Sequence, residues 1–202
     1  MKKGISRFAL LACIICILLS ACSSPYPYYD MNIQTKGTEF FVHMPMDMEA
    51  LEKFSEVIVQ GKIRNDHYEV TPSGISPPTL TLSTLEITKV YKGDFQEGDT
   101  FTLCEWYYTD EIDGMETLIQ YRNYMPCEIG REYLFFVNTY RSSDNWENVY
   151  TPSIFEMGRY PAISSNARIN TNAEDYSVEE LNLVIDDTHY RSIYQEIIEK
   201  YF

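Results

Sequence analysis

Few residues in this chain offer chemistry, and their spacing decides what they can do. The three histidines, His43, His67 and His189, lie far apart. No H-E-x-x-H, G-x-S-x-G or glycine-rich phosphate loop accompanies them. His43-Met44-Pro45-Met46-Asp47-Met48 sets three thioethers at spacing two beside an imidazole, a soft donor set suited to Cu(I). Met46 and Met48 also fall where a helix begins, and serve equally well there as core residues. Asp110-Glu111-Ile112-Asp113-Gly114 suggests a Ca²⁺ loop, but alignment on Gly114 puts Thr109 at the first ligand position and Gln120 at the twelfth. It reads as a solvated acidic turn. Acidic pairs such as Asp186-Asp187 fit helix capping better than general acid–base work. Trp106, Tyr107 and Tyr108, with Tyr121 and Tyr124 nearby, form the candidate ligand face. Such rings stack on sugars or grip a peptide, and can equally fill space between packed elements.

The five cysteines sort by position. Lys2, Lys3 and Arg7 precede an unbroken apolar run of 12 residues, Phe8 to Leu19, which leads into Ser20-Ala21-Cys22. At about 1.5 Å per helical residue that run reaches only ~18 Å, short of a ~30 Å bilayer core, so it reads as a secretion signal. Leu19-Ser20-Ala21-Cys22 resembles the lipobox of bacterial lipoproteins. The resemblance implies cleavage before Cys22, diacylglycerol on its sulfur, and a place on the outer face of the cell membrane. Two acyl chains of roughly thirty CH₂ groups would give on the order of 20 kcal/mol of attachment. Cys13 and Cys16 belong to the discarded signal. Cys104 and Cys127 remain, a single candidate disulfide outside a reducing compartment, with two unlinked thiols as the alternative.

Charge narrows the partners. The chain carries −14, and removal of residues 1–21 takes away three basic and no acidic residues, leaving −17 on 181 residues. Nucleic acid is excluded as a partner, since phosphate binding needs concentrated positive charge. Acidity also disfavours adsorption to anionic lipid. The 17 tyrosines suit either a binding face or half-buried strand and helix surfaces.

Patterning supplies the elements. Residues 22–45 are polar and aperiodic and read as a lipid-anchored tether. Asp47 caps a short helix that ends near Glu56. Strands are expected at 57–63, 80–87, 100–106, 133–137 and 149–155, with a short addition over 158–163. In the second of these, Leu80 and Leu82 are out of phase with Leu85 and Ile87, which predicts a β-bulge near Ser83-Thr84. Tyr133 to Val137 is apolar on both faces and reads as the most buried strand. Ser177-Val178-Glu179-Glu180 matches a capping box, and Tyr190, Ile193, Tyr194, Ile197, Ile198 and Tyr201 form a helical stripe.

Val57 to Ile63, Leu85 to Gly93, Glu97-Gly98-Asp99 and Gly130 to Phe136 occur in an order that resembles uncharacterised cell-surface lipoproteins of Gram-positive bacteria. The resemblance spans roughly residues 47 to 163 and implies an OB-like barrel similar to netrin-type and metalloproteinase-inhibitor domains. Those inhibitors reach zinc through a free N-terminal cysteine; an acylated Cys22 could not, so that mechanism is not expected here.

The expected fold is therefore mainly β with flanking helices (α+β): an OB-like, five-stranded antiparallel barrel over 46–165, with a short N-terminal helix and a C-terminal helical segment over 166–202 packed on it. The expected function is a non-enzymatic binding module without cofactor, held to the membrane through Cys22 and facing a protein or cell-wall polymer. The alternatives are an extracytoplasmic copper carrier using His43, Met44, Met46 and Met48, and a hydrolase.

Overall fold

The computed structural model describes residues 27–37, 47–72, 79–141, 146–163 and 172–202. The signal segment, Cys22, His43, Met44 and Met46 lie outside the described residues.

Five strands close into a barrel: β2 (Val57–Ile63), β4 (Leu80–Lys92), β5 (Thr100–Glu105), β8 (Glu132–Thr139) and β9 (Val149–Pro152). They pair in the ring β2–β4–β5–β9–β8, which returns to β2. All pairings are antiparallel except β5 with β9, which is parallel. The mainly β fold expected from sequence, a five-stranded OB-like barrel with flanking helices, is borne out, and β5 with β9 is the one departure from antiparallel pairing in the ring. A closed ring with an odd number of strands cannot alternate direction throughout. Two short edge strands extend the wall, β3 (Tyr68–Val70) on β4 and β10 (Arg159–Pro161) on β8.

Alternation divides each barrel strand between two cores. Val57, Val59, Leu85, Phe101, Leu103 and Phe135 fill the interior. Ile58, Leu80, Leu82, Leu134 and Phe136 face outward into a second core, shared with the helices. Gly61 is required in β2, because a Cβ there would meet the Glu86 carbonyl oxygen at 2.7 Å and Leu85 Cδ2 at 2.8 Å.

The bulge expected at Ser83-Thr84 is absent: β4 and β5 stay in register from Thr81 to Glu86. Leu80 and Leu85 have opposite phase because each face of β4 is buried against a different core, so no phase slip is needed. The irregularities fall farther along, where β2 skips Thr88 and Tyr91 of β4. They bend this 13-residue strand around the barrel.

Among the described residues three α-helices flank the barrel. α1 (Met48–Phe54) is capped by Asp47, whose carboxylate accepts from the Ala50 amide at 2.8 Å. α2 (Val178–Leu181) carries the expected capping box between Ser177 and Glu180. α3 (Thr188–Tyr201) buries Tyr190, Ile193, Tyr194, Ile197 and Ile198. Each such side chain contributes about 1.5–3 kcal/mol by leaving water.

A separate three-stranded sheet is built from β6 (Tyr107–Ile112), β7 (Met115–Tyr121) and β1 (Asn32–Lys36). The acidic turn between β6 and β7 is a tight hairpin with Asp113 at φ 54° and Gly114 at φ 76°. β1 runs parallel to β7, with Asn32 opposite Thr117 and Lys36 opposite Tyr121. This corrects the tether assigned to residues 22–45 over its described part alone. Residues 27–36 are structure: a 3₁₀ turn (Pro27–Asp30) followed by a paired strand. Their polar side chains hide it because four of the five β1 residues are exposed and the strand is held by backbone pairing and polar side-chain bonds such as Asn32 to Thr117.

Candidate functional site

One end of the barrel interior is polar. Glu105 closes β5 in the interior phase of Phe101 and Leu103, and Arg159 opens β10 opposite the interior Phe135. Both are buried. The Glu105 carboxylate accepts three hydrogen bonds: from Ser83 Oγ at 2.9 Å, from Tyr124 Oη at 3.0 Å and from the Cys127 amide at 2.9 Å. Arg159 lies with its guanidinium carbon 4.6 Å from the centre of the Tyr124 ring and 5.5 Å from that of Tyr133. One of its nitrogens donates to the Asn182 carbonyl at 3.0 Å, while Nε and Nη1 have no hydrogen-bond acceptor. Aromatic faces stand in for those acceptors. Tyr124 thus links the two charges, with its hydroxyl on the carboxylate and its face under the guanidinium.

Residues 28–29 cover this end. The Tyr28 ring meets Tyr107 edge-on at 6.1 Å, and Tyr29 Oη donates to the Leu183 carbonyl at 2.6 Å. Burial raises the Tyr28 hydroxyl pKa and the Glu105 carboxylate raises it further.

Cys104 and Cys127 are separate free thiols, and the expected disulfide is not formed. Cys104 leaves β5 on the face opposite Glu105 and lies in the outer core, whereas Cys127 lies in the interior one. The barrel wall separates the two. Burial and the Glu105 charge push both thiols well above their ordinary range, so both are protonated and weakly nucleophilic at neutral pH. The groups acting on Cys127 are Glu105, Arg159 and Tyr124 rather than an imidazole base.

The candidate ligand face is taken apart by burial. Tyr107, Tyr121 and Tyr124 are core residues, 4%, 7% and 0% exposed. Burial pushes the Tyr121 hydroxyl up to about 12. Trp106 and Tyr108 are half-buried. Trp106 Nε1 donates to Thr151 Oγ1 at 2.9 Å, and its ring lies 4.6 Å from Phe155. Tyr108 is bonded to Lys36, whose ammonium also sits 4.9 Å from the ring centre. A second aromatic pair, Tyr140 and Trp146, stacks at 5.6 Å on the connection between β8 and β9. Tyr190 and Tyr194 donate to the Arg159 and Pro161 carbonyls at 2.9 and 2.7 Å, so the tyrosine richness serves packing around β10.

Beside Trp106, Phe155 adopts φ 43°, a conformation rare for an aromatic residue. The Arg122 guanidinium stands 5.5 Å from its ring and 3.5 Å from the buried Glu156 carboxylate. Burial raises the Glu156 pKa, with Arg122 opposing, and Glu156 Oε2 has no hydrogen-bond partner.

Among the candidate metal residues only Met48 is described, half-buried on α1 against the outer core. Among the described residues no group of three or more His, Cys, Asp or Glu side chains is arranged to hold a metal ion. No described helix is long and apolar enough to cross a membrane.

Sequence reasoning missed Glu105, Arg159 and residues 28–29. Glu105 had a signal: its phase with Phe101 and Leu103 places a carboxylate among interior positions. Comparison with protein-family models, with curated proteins and with solved structures found no match to this chain.

Proposed function

We propose that this chain is an extracytoplasmic lipoprotein, acylated on Cys22, whose barrel is a non-enzymatic binding module. The observation that carries the reading is the join between anchor and body. The lipobox-like Leu19-Ser20-Ala21-Cys22 is followed within five residues by Pro27, the first residue of the 3₁₀ turn that leads into β1. A barrel attached so closely to an acylated cysteine is a displayed domain rather than a diffusing one. The inward use of Glu105, Tyr124 and Cys127 supports binding over catalysis, because these groups bond to one another beneath Tyr28. Solvent-facing aromatic surface is left at Trp106, Tyr108 and the Tyr140–Trp146 stack. Such surface suits a cell-wall polymer or an extended protein segment.

The test is binding of the full chain to purified cell-wall polymer, with Trp146→Ala and Tyr108→Ala beside it. A loss of tenfold or more in affinity with an unchanged melting temperature supports the reading. Equal binding by all three proteins, or no binding by the unaltered chain, counts against it.

A further inference from the structure

We infer that the end of the barrel formed by residues 28–29, 123–131 and 180–185 rests against the lipid bilayer, with Ile129 and Ile185 turned to it. The inference rests on the acylation of Cys22 proposed above.

These three segments are fastened together. Tyr29 Oη reaches the Leu183 carbonyl at 2.6 Å, and Tyr124 bridges to Leu183. Asn182 Nδ2 donates to the Pro126 carbonyl at 2.9 Å, and the Arg131 guanidinium donates to the Glu180 carbonyl. Asn123 holds the next turn from both sides: its Oδ1 accepts from the Val184 and Ile185 amides, each at 2.8 Å, and its Nδ2 donates to the Ile185 carbonyl at 2.9 Å. On this rigid end Ile185 is 67% exposed and Ile129 48% exposed. Asn123 thus holds the Ile185 backbone at both its amide and its carbonyl, and the Gly130 amide, next to Ile129, donates to the Ile63 carbonyl at 3.1 Å.

Chain length then fixes the occupant. Six residue steps separate Cys22 from Tyr28, and at most about 3.6 Å per step allows a reach of ~22 Å. A domain of this size has a radius of gyration of ~15 Å and a diameter near 40 Å. The anchor is therefore shorter than the body is wide, and the end that receives Tyr28 and Tyr29 stays nearest the acyl chains. Charge does not oppose the contact as strongly as the net −14 suggests. Glu128 pairs with Arg131, Asp186 pairs with Arg191 at 2.6 Å, and Glu180 accepts from the Ser177 amide at 2.7 Å. Each of these carboxylates has a partner within the protein, while Glu180 and Asp186 stay exposed to solvent, Asp186 by 58%.

The experiment uses the full chain extracted from membranes and returned to phosphatidylcholine vesicles containing nitroxide-labelled acyl chains. Ile185→Cys and Ile129→Cys are labelled with a small fluorophore. Glu97→Cys, exposed at the other end of β4 and β5, is the reference. The expected result is quenching at positions 129 and 185 at least threefold above that at 97. Equal quenching at all three positions, on protein whose mass carries diacylglycerol, overturns the bilayer-facing surface and leaves the anchor standing. A mass with unmodified Cys22 overturns the anchor and the surface together.

Discussion

Replacing Tyr124 with phenylalanine removes one hydroxyl from the centre of the buried network and leaves its ring beneath Arg159. The hydroxyl donates at 3.0 Å to Glu105, a carboxylate only 1% exposed. A hydrogen bond to a charged group contributes about 1.5–3 kcal/mol net, more than one between neutral partners. Ser83 Oγ and the Cys127 amide still serve the carboxylate in the variant, so the loss is one bond of three. The expected destabilisation is about 2 kcal/mol. For a domain of this length that lowers the melting temperature by roughly 4–8 °C. Urea denaturation followed by tryptophan fluorescence reads the change directly. A double-mutant cycle with Glu105→Gln should give a coupling energy above ~1 kcal/mol, because the two groups share one bond. A Tyr124→Phe variant within ~0.5 kcal/mol of the parent, or strict additivity with Glu105→Gln, would refute the claim that this bond ties the barrel end together.

Burial raises the Glu156 pKa, so the folded chain holds that proton more readily than the unfolded one. The stabilising contribution of Glu156 is then full at low pH and falls as pH rises above the unfolded glutamate value of ~4.3. Glu156→Gln should therefore gain melting temperature relative to the parent between pH 4 and pH 7; a constant or shrinking difference contradicts this. Gly61→Ala sets a Cβ 2.7 Å from the Glu86 carbonyl oxygen and should destabilise by about 1–3 kcal/mol in the same urea assay. Cys104 and Cys127 should resist alkylation until the chain is denatured, and a reducing agent should leave the melting temperature unchanged. A drop on reduction would restore the disulfide.

The barrel strands were legible because their turns and alternation are local. Val57–Ile63 appears with the bounds expected, and so does the Ser177–Glu180 capping box. β8 was legible as a two-sided strand from Tyr133 to Val137, all of it buried. What failed depends on which surface faces which. Leu80 and Leu85 serve different cores, so a change of phase looked like a bulge. Parallel pairing of β5 with β9 and of β1 with β7 joins residues far apart in sequence and leaves no local trace. The aromatic run from Trp106 to Tyr124 could face solvent or fill a core, and composition alone could not choose. Tertiary contact chose the core for Tyr107, Tyr121 and Tyr124.

The most direct measurement is the mass of the N-terminal fragment of the chain purified from membranes, beside fractionation of a Cys22→Ala variant. A fragment that begins at Cys22 and carries diacylglycerol, with the variant lost from the membrane fraction, is the result expected. A Cys22 without lipid, or a variant bound as firmly as the parent, contradicts a barrel held at the bilayer by its own cysteine.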